Sequence, residues 1–253
     1  MQIDWQSLQR GMLPLDYYAV TVRGGKIAAQ KAYYAAAATA ASGFEPFDSL
    51  TGAGFLRPFS FGIDDAGNEK FDFELIKGFR AVCMSVAERH AFFDLQTAYA
   101  LDGALQRLGA TRGKILGMKA DGAGVKSVCL YFRTNMPCTG GNVEKTVRAA
   151  VALTGVKEPS CRFPQGDGVQ LCLVALDFSR AWRKVKFYFK FKDKTASRQI
   201  AACLQGSALS AAEEILRSDG FAEGFQVALS GAEETFNLYL RPPAGAQGVL
   251  SRS

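Results

Sequence analysis

Four segments of the chain are predicted to be antiparallel strand pairs, because each has two runs of alternating polar and apolar residues around a short turn signal. They are residues 16–34, 114–134, 169–191 and 225–242. The intervening segments 73–109, 142–155 and 195–220 have apolar residues at three- and four-residue steps and are predicted to be helical. Residues 55–75 are ambiguous between a fifth strand pair, which we favour, and a loop before the long helix.

The segment RKVKFYFKFKDK, residues 183–194, shows the alternation most clearly. Lys184, Lys186, Tyr188, Lys190 and Lys192 share one parity, and the residues between them are valine and phenylalanines. Successive side chains of a strand point to opposite faces. One face of this strand is therefore a row of cations around a tyrosine, and the other face is apolar.

The other strand pairs also have one polar and one apolar face. The helices would cover the apolar faces, and the polar faces would point at one another across a solvated interior. This pattern predicts an α+β fold, an antiparallel β-barrel with a polar lumen that is ringed by helices. We expect a single domain over 1–242 and a disordered tail over 243–253.

Composition narrows the classes of partner and site. The formal net charge of +6 indicates an anionic partner, and the six cysteines lack CxxC spacing, which favours core thiols in a reducing cytosol. His90 is the only histidine, which excludes a histidine-rich metal site; it lies in a helical segment and is predicted to be structural. No signal segment and no apolar run of transmembrane length are found, so a cytoplasmic protein without a membrane partner is expected.

The second strands of three of the predicted pairs share one motif, a tyrosine with a cationic or amide residue two positions away. On the second strand of the first pair, Lys31 and Tyr33 share their parity with Ile27 and Ala29. Cations that converge in a barrel repel one another unless a dense anion lies among them, and a diphosphate fits this requirement. Tyrosine ring faces beside it could stabilise a carbocation. The three instances are Tyr131–Arg133, Lys186–Tyr188–Lys190 and Asn237–Tyr239–Arg241.

Four stretches resemble the ABBA, or PT-barrel, prenyltransferases, and in particular the bacterial cyanobactin-type peptide prenyltransferases of RiPP biosynthesis. They are KIAAQKAYY, GMKADGAGVKSVCLYFRT, VALDFSRAWRKVKFYF and ALSGAEETFNLYLRP, and the resemblance extends from about residue 15 to 242. It implies a ten-stranded antiparallel barrel whose lumen binds an isoprenyl diphosphate through Lys, Arg and Tyr. The aspartate-rich DDxxD motif of helical prenyl synthases is absent, as this fold implies.

The resemblance also implies roles for individual residues. An acidic residue on the first strand would assist the acceptor, and the matching position is Asp16 or Tyr17. The proton that the acceptor releases could be accepted by Asp16, Asp177 or Asp121. Cys129 departs from the pattern, since a lysine is usual there. The expected diphosphate-binding and prenyl-shielding residues are Lys31, Lys119, Tyr131, Arg133, Lys184, Lys186, Tyr188, Asn237, Tyr239 and Arg241.

The expected activity is transfer of a dimethylallyl or geranyl group from its diphosphate to a nucleophile on a peptide or small natural-product acceptor. Mg²⁺ bound to the diphosphate is the cofactor that the resemblance implies, no metal-binding cluster is expected, and a monomer is expected. One alternative is a non-catalytic barrel that binds an anionic or phosphorylated ligand. A nucleic-acid binder is disfavoured, because the aromatic residues of 183–194 lie on the face opposite the lysines.

Overall fold

A computed structural model describes residues 15–35, 45–110, 113–121, 124–219, 222–231 and 234–241. The predicted tail 243–253 lies outside these residues. Within them, ten antiparallel strands form a closed barrel in which each strand pairs with its neighbours in sequence and the last strand pairs with the first. The predicted fold class, an antiparallel ten-stranded barrel ringed by helices, is confirmed.

The barrel consists of five hairpins. The segment 55–75 forms one of them, so the alternative of a loop in this region is wrong. The strands are β1 (Leu15–Arg23), β2 (Lys26–Ala35), β3 (Leu56–Asp64), β4 (Glu69–Leu75), β5 (Lys114–Asp121), β6 (Gly124–Pro137), β7 (Val169–Ser179), β8 (Arg183–Phe191), β9 (Ala222–Ser230) and β10 (Glu234–Leu240).

Helices lie between the hairpins, as the periodicity predicts. The prediction of helix throughout 73–109 is wrong at two places: residues 73–75 end β4, and the helix is interrupted before Leu95. Asp94 begins a new helix there, since its carboxylate accepts a hydrogen bond from the Thr97 backbone N–H at 3.1 Å. The helices are α1 (Glu45–Gly52), α2 (Phe79–Arg89), α3 (Leu95–Arg107), α4 (Asn142–Thr154), α5 (Lys194–Ser197), α6 (Gln199–Cys203) and α7 (Gly206–Asp219).

The main hydrophobic core lies between the outer face of the barrel and the helices. On β8, Phe187, Phe189 and Phe191 are fully buried in this core, and α4 packs against the strand. Burying such side chains supplies most of the driving force for folding. The alternation then directs the lysine face of β8 into the lumen. Among the described residues, no helix is long and apolar enough to cross a membrane.

Candidate active site

The barrel lumen contains two chambers. The first lies near the hairpin turns and has a volume of about 280 Å³. The second lies near the strand ends that lead to the helices and has a volume of about 540 Å³. Tyr33, Tyr131, Tyr188 and Lys70 line both chambers and thus form the boundary between them.

The first chamber is strongly cationic. Two of its lysines are held by carboxylates: Lys119 Nζ lies 2.7 Å from Asp64 Oδ2, and Lys186 forms an ion pair with Asp177. The lining of this chamber has more cations than carboxylates, so the chamber attracts anions. Its charged lining residues are Arg23, Lys31, Lys70, Lys119, Lys184 and Lys186 against Asp64 and Asp177.

Lys31 is the least compensated of these cations. No carboxylate among the described residues forms an ion pair with it. Burial, and then repulsion from Lys186, Lys119 and Lys70, lowers the pKa of Lys31 to about 7. Binding of an anion in the chamber would therefore favour the protonated, positively charged form of Lys31.

Lys70 and Lys186 keep their charge despite burial. Burial alone would lower the pKa of each ammonium, but attraction to Asp72 raises the pKa of Lys70, and attraction to Asp177 raises that of Lys186. Lys70 Nζ lies 2.8 Å from Asp72 Oδ2. The carboxylates thus fix two cations at the centre of the lumen.

A belt of tyrosine rings crosses the lumen between the chambers. The ring centroids of Tyr131 and Tyr188 are 5.7 Å apart, those of Tyr188 and Tyr239 are 6.0 Å apart, and those of Tyr239 and Tyr33 are 6.1 Å apart. The ammonium of Lys70 closes the belt, 5.1 Å from the Tyr131 ring and 5.2 Å from the Tyr33 ring. The belt therefore already binds one cation between its ring faces.

Tyr131, Tyr188 and Tyr239 of the belt are neutral phenols. Burial raises the pKa values of Tyr131, Tyr188 and Tyr239 well above the ordinary value. The Tyr239 hydroxyl donates a hydrogen bond to Gln226 Oε1 at 2.8 Å. The ring faces, rather than phenolate charges, are what this belt offers to a cation.

The second chamber is less charged and more aromatic. Tyr17 stacks on Tyr33 at 4.9 Å, and Ile115 and Leu173 add aliphatic surface. Its most buried charged group is Asp72, which is 8% exposed and accepts a hydrogen bond from Ser60 Oγ at 3.0 Å. This chamber suits an apolar or aromatic ligand.

Small residues on neighbouring strands make room for the long lumenal side chains. Lys186 lies between Ala175 and Ala228 in the strand registers, and Tyr239 lies between Ala19 and Gly224. Asp72 faces Gly117 in the same way. Each long side chain can thus extend over a small neighbour into the lumen.

The residues proposed from the sequence mostly meet in these chambers. The exception among the proposed binding residues is Arg241, which follows β10, is exposed and pairs with Glu223. The side chain of Asp16 lies outside the described residues, and Asp121 pairs with Lys126 near a turn. The proposed residues that line a chamber are Tyr17, Lys31, Lys119, Tyr131, Arg133, Asp177, Lys184, Lys186, Tyr188, Asn237 and Tyr239.

Sequence reasoning missed the contribution of β3 and β4. Asp64 on β3, and Lys70 and Asp72 on β4, were not among the candidates, although all three line the lumen. The segment EKFDFEL places Lys70 and Asp72 on one parity and Phe71 and Phe73 on the other. The same alternation that identified the lumenal face of β8 would have found them.

Cys129, at the position where a lysine was expected, lines the first chamber with its Sγ 3.9 Å from Lys186 Nζ. Burial raises the pKa of this thiol to about 12, so it is protonated at neutral pH. A protonated, buried thiol is a weak nucleophile. Lys186 and Lys70 are the cations close to this thiol.

The described residues form no cluster of three or more His, Cys, Asp or Glu side chains suited to a metal ion. The two carboxylates of the first chamber, Asp64 and Asp177, are each engaged by a lysine. The surrounding cations would also repel a divalent ion. The protein side chains of this chamber therefore do not fit a resident Mg²⁺.

No protein-family model and no curated protein match the chain. Among solved structures, one of 29 matching chains is the crystal structure of 5-dimethylallyltryptophan synthase from Streptomyces coelicolor. The match has 13% sequence identity and a TM-score of 0.36, and it covers 92% of this chain and 82% of that chain.

Proposed function

We propose that the protein is a prenyltransferase that moves an isoprenyl group, dimethylallyl or geranyl, from its diphosphate to a nucleophile on a peptide or small natural-product acceptor. The observation that supports this proposal is the division of one closed lumen into a cationic chamber and a less charged chamber by a tyrosine belt. The three parts correspond to a diphosphate site, a carbocation shield and an acceptor site.

The donor diphosphate would bind in the first chamber. Lys31, Lys119, Lys184 and Lys186 can form charge-assisted hydrogen bonds to its oxygens. The same cations would stabilise the charge that develops on the leaving diphosphate as the carbon–oxygen bond breaks. Because Lys119 and Lys186 are already held by Asp64 and Asp177, little reorganisation of these two cations would accompany that step.

The allylic cation would form at the tyrosine belt. The faces of Tyr33 and Tyr131 already contact the Lys70 ammonium, which supports the idea that this belt accommodates positive charge. Tyr188 and Tyr239 complete the aromatic wall and would keep water away from the cation. The acceptor nucleophile would then attack from the second chamber.

Asp177 fits a supporting role better than that of proton acceptor. It lines the first chamber and pairs with Lys186, on the side of the belt where the diphosphate would bind. Tyr17 lines only the second chamber, where it could position an aromatic acceptor by stacking. A Mg²⁺ ion carried by the diphosphate would enter with the substrate, and no step of this proposal requires it.

The experiment uses radiolabelled dimethylallyl and geranyl diphosphates with a panel of acceptors, namely tryptophan, tyrosine and peptides that contain them. Alkylated product and released pyrophosphate would be measured together. Lys31→Met should weaken pyrophosphate binding, whereas Lys145→Met, which changes an exposed helix residue that lines neither chamber, should not. Absence of pyrophosphate binding by the unmodified protein would contradict the proposal.

The alternative is a barrel that binds an anionic or phosphorylated ligand without chemistry. The small volume of the first chamber, about 280 Å³, favours a ligand whose anionic part is compact. Retention of the labelled diphosphate without release of pyrophosphate, across the acceptor panel, would support this alternative. Release of pyrophosphate together with an alkylated acceptor would exclude it.

A further inference from the structure

Lys31 lies opposite a carboxylate that other groups already occupy. In the pairing of β2 with β3, its register partner is Asp64. Asp64 Oδ2 accepts a hydrogen bond from Lys119 Nζ at 2.7 Å, and Oδ1 accepts one from the Asn68 backbone N–H at 2.9 Å. The Asn68 side-chain amide donates to both oxygens as well. Asp64 is therefore the ion-pair partner of Lys119 rather than of Lys31.

The other carboxylates at the centre of the lumen are taken in the same way. Asp72 pairs with Lys70, and Asp177 pairs with Lys186. Three carboxylates thus hold three lysines of β4, β5 and β8, while Lys31 forms no ion pair within the described residues. The charged groups that act most strongly on Lys31 are these three lysines and the β3 carboxylate. An ammonium at this position is therefore repelled by cations on three other strands.

The Lys31 amine is accessible from the first chamber. Its side chain is half-buried and lines that chamber, and its neighbours Ala29 on β2 and Ala19 on β1 are small. Nζ has no hydrogen-bond partner in the described residues, and it is not among their fully buried side-chain atoms that lack one. It is therefore exposed to the interior of the chamber, where a small ligand can reach it.

This setting favours a neutral amine. Burial, and then repulsion from the three paired lysines, lowers the pKa of Lys31 to about 7. Roughly half of the molecules then have a neutral amine at about pH 7, against about one in a thousand or fewer for an ordinary lysine. A lysine that lies next to other cations and has lost its proton is the kind of amine that forms Schiff bases with carbonyl compounds.

The rest of the chamber determines which carbonyl compounds fit. Lys119, Lys184 and Lys186 can form charge-assisted hydrogen bonds with a phosphate. A ligand with an aldehyde at one end and a phosphate at the other would bind through both parts at once. An aldehyde fits better than a ketone, because its carbonyl carbon has one substituent fewer and the chamber has a volume of only about 280 Å³.

We propose that Lys31 is a nucleophile that captures phosphorylated aldehydes as a Schiff base in the first chamber. The inference goes beyond prenyl transfer and does not depend on it. The electron pair of the neutral amine attacks the carbonyl carbon; the two amine protons leave with the carbonyl oxygen as water, and a C=N bond replaces the C=O bond. Protonation of the imine gives a cation, which the phosphate of the same molecule stabilises. The captured aldehyde occupies the cations of the chamber and excludes pyrophosphate while it is bound.

The other nucleophilic groups of the chamber are less suited to this reaction. Burial disfavours the charge of Lys70 and Lys186, but attraction to their paired carboxylates outweighs it and raises the pKa of both. Burial raises the pKa of the Cys129 thiol to about 12, so the thiol keeps its proton. Lys31 is the amine of this group that is neutral near pH 7.

The first experiment treats the protein with limiting pyridoxal 5′-phosphate at about pH 7, traps the imine by borohydride reduction and locates the label by peptide mass spectrometry. Lys31 should carry at least about ten times more label than any other lysine, because an ordinary lysine is almost fully protonated at this pH. Pyridoxal, which lacks the phosphate, is the matched control and should label Lys31 at least about fivefold less. Label that is spread evenly over the lysines, or that does not depend on the phosphate, would overturn the proposal.

Two variants test the identity of the reactive amine. Lys31→Arg keeps a cation but has no primary amine, and it should lose the absorbance of the phosphate-dependent imine. Lys145→Met changes an exposed helix residue that lines neither chamber, and it should retain this absorbance. Equal imine absorbance in Lys31→Arg and in the unmodified protein would exclude Lys31 as the nucleophile.

The pH dependence decides the question if Lys31→Arg fails to fold. In the unmodified protein, the labelling rate of Lys31 should rise through about pH 7 and level off above about pH 8, since the amine is then almost entirely neutral. An amine with the ordinary lysine pKa would instead gain about tenfold per pH unit up to about pH 10. Such a gain between about pH 8.5 and 9.5 would overturn the proposal. Label at Lys31 in a protein that binds no pyrophosphate would refute the proposed function and still support aldehyde capture.

Discussion

At the scale of single residues, Lys31 shows how a binding site can oppose stability. The side chain is surrounded by cations and has no ion-pair partner among the described residues, and its pKa is about 7. In the unfolded chain the same amine has a pKa near its ordinary value of 10.5. The unfolded chain therefore binds more protons between these two values, and stability rises as the pH rises through that interval.

Lys31→Met should stabilise the ligand-free protein. Near pH 7 the substitution removes a cation that folding must bury, and the free energy of unfolding should rise by roughly 1–3 kcal/mol. Pyrophosphate affinity should fall at the same time, because a ligand contact is lost. Denaturant unfolding and calorimetry of the same samples would measure both effects; a variant that is less stable than the unmodified protein would contradict the buried-cation account.

Anion binding should also depend on the protonation of Lys31. Pyrophosphate prefers the charged amine, so its affinity should fall as the pH rises through about 7, the pKa of Lys31 in the ligand-free protein. Pyrophosphate itself titrates in this range, and Lys31→Met provides the correction. We expect a steeper decline between pH 6 and 8.5 in the unmodified protein than in the variant; parallel curves would show that Lys31 does not titrate there.

At the scale of strands, the lumen depends on pairs of long and small side chains. Lys186 is flanked in the registers by Ala175 and Ala228, so its ammonium can extend across the first chamber. Ala228→Leu should displace Lys186, lower pyrophosphate affinity about tenfold and destabilise the fold by roughly 1–3 kcal/mol through overpacking. Ala228→Ser keeps the small volume and should change affinity less than threefold; equal losses in the two variants would argue against a steric cause.

The same scale shows what the sequence could predict. Alternation alone assigned the lumenal faces of β6, β8 and β10, because these strands have an uninterrupted polar–apolar pattern. Strict alternation also predicts that Ile27 shares the lumenal face of β2 with Lys31. In the structure, the register between β1 and β2 shifts between Thr21 and Val22, and Ile27 packs on the hydrophobic core outside the barrel. A bulge of this kind depends on the partner strand and leaves no clear signal in one strand's pattern.

Contacts between distant strands were beyond the sequence. The tyrosines were expected from their spacing, but the belt depends on Lys70 of β4 meeting Tyr33 of β2 and Tyr131 of β6 across the lumen. Likewise, the ion pair of Lys119 with Asp64 joins residues 55 positions apart. Such pairs are determined by the strand order and stagger of the closed barrel, which the pattern of one strand does not specify.

At the scale of the whole molecule, the division of the lumen is the property on which the proposed transfer depends. A closed barrel has no free edges, and its two chambers lie at opposite ends of the strands. A reactive cation formed between the chambers would be surrounded by tyrosine rings, with the diphosphate in the first chamber and the acceptor in the second. In the proposed reaction, this arrangement would favour capture of the cation by the acceptor over capture by water only while the belt is intact.

Substitutions at Tyr188 test this division, because its ring contacts both Tyr131 and Tyr239 in the belt. Tyr188→Phe keeps the ring face and should retain transfer within about threefold. Tyr188→Leu removes the negative ring face, and a partly desolvated cation–π contact is worth about 1–2 kcal/mol, so transfer should fall roughly 5- to 30-fold. The ratio of prenyl alcohol to alkylated acceptor should rise in the leucine variant, since water would reach the cation through the gap. Chromatographic separation of the two products gives this ratio directly. If the ratio is unchanged in Tyr188→Leu and Tyr188→Phe is equally slow, the reaction requires the hydroxyl group rather than the aromatic wall.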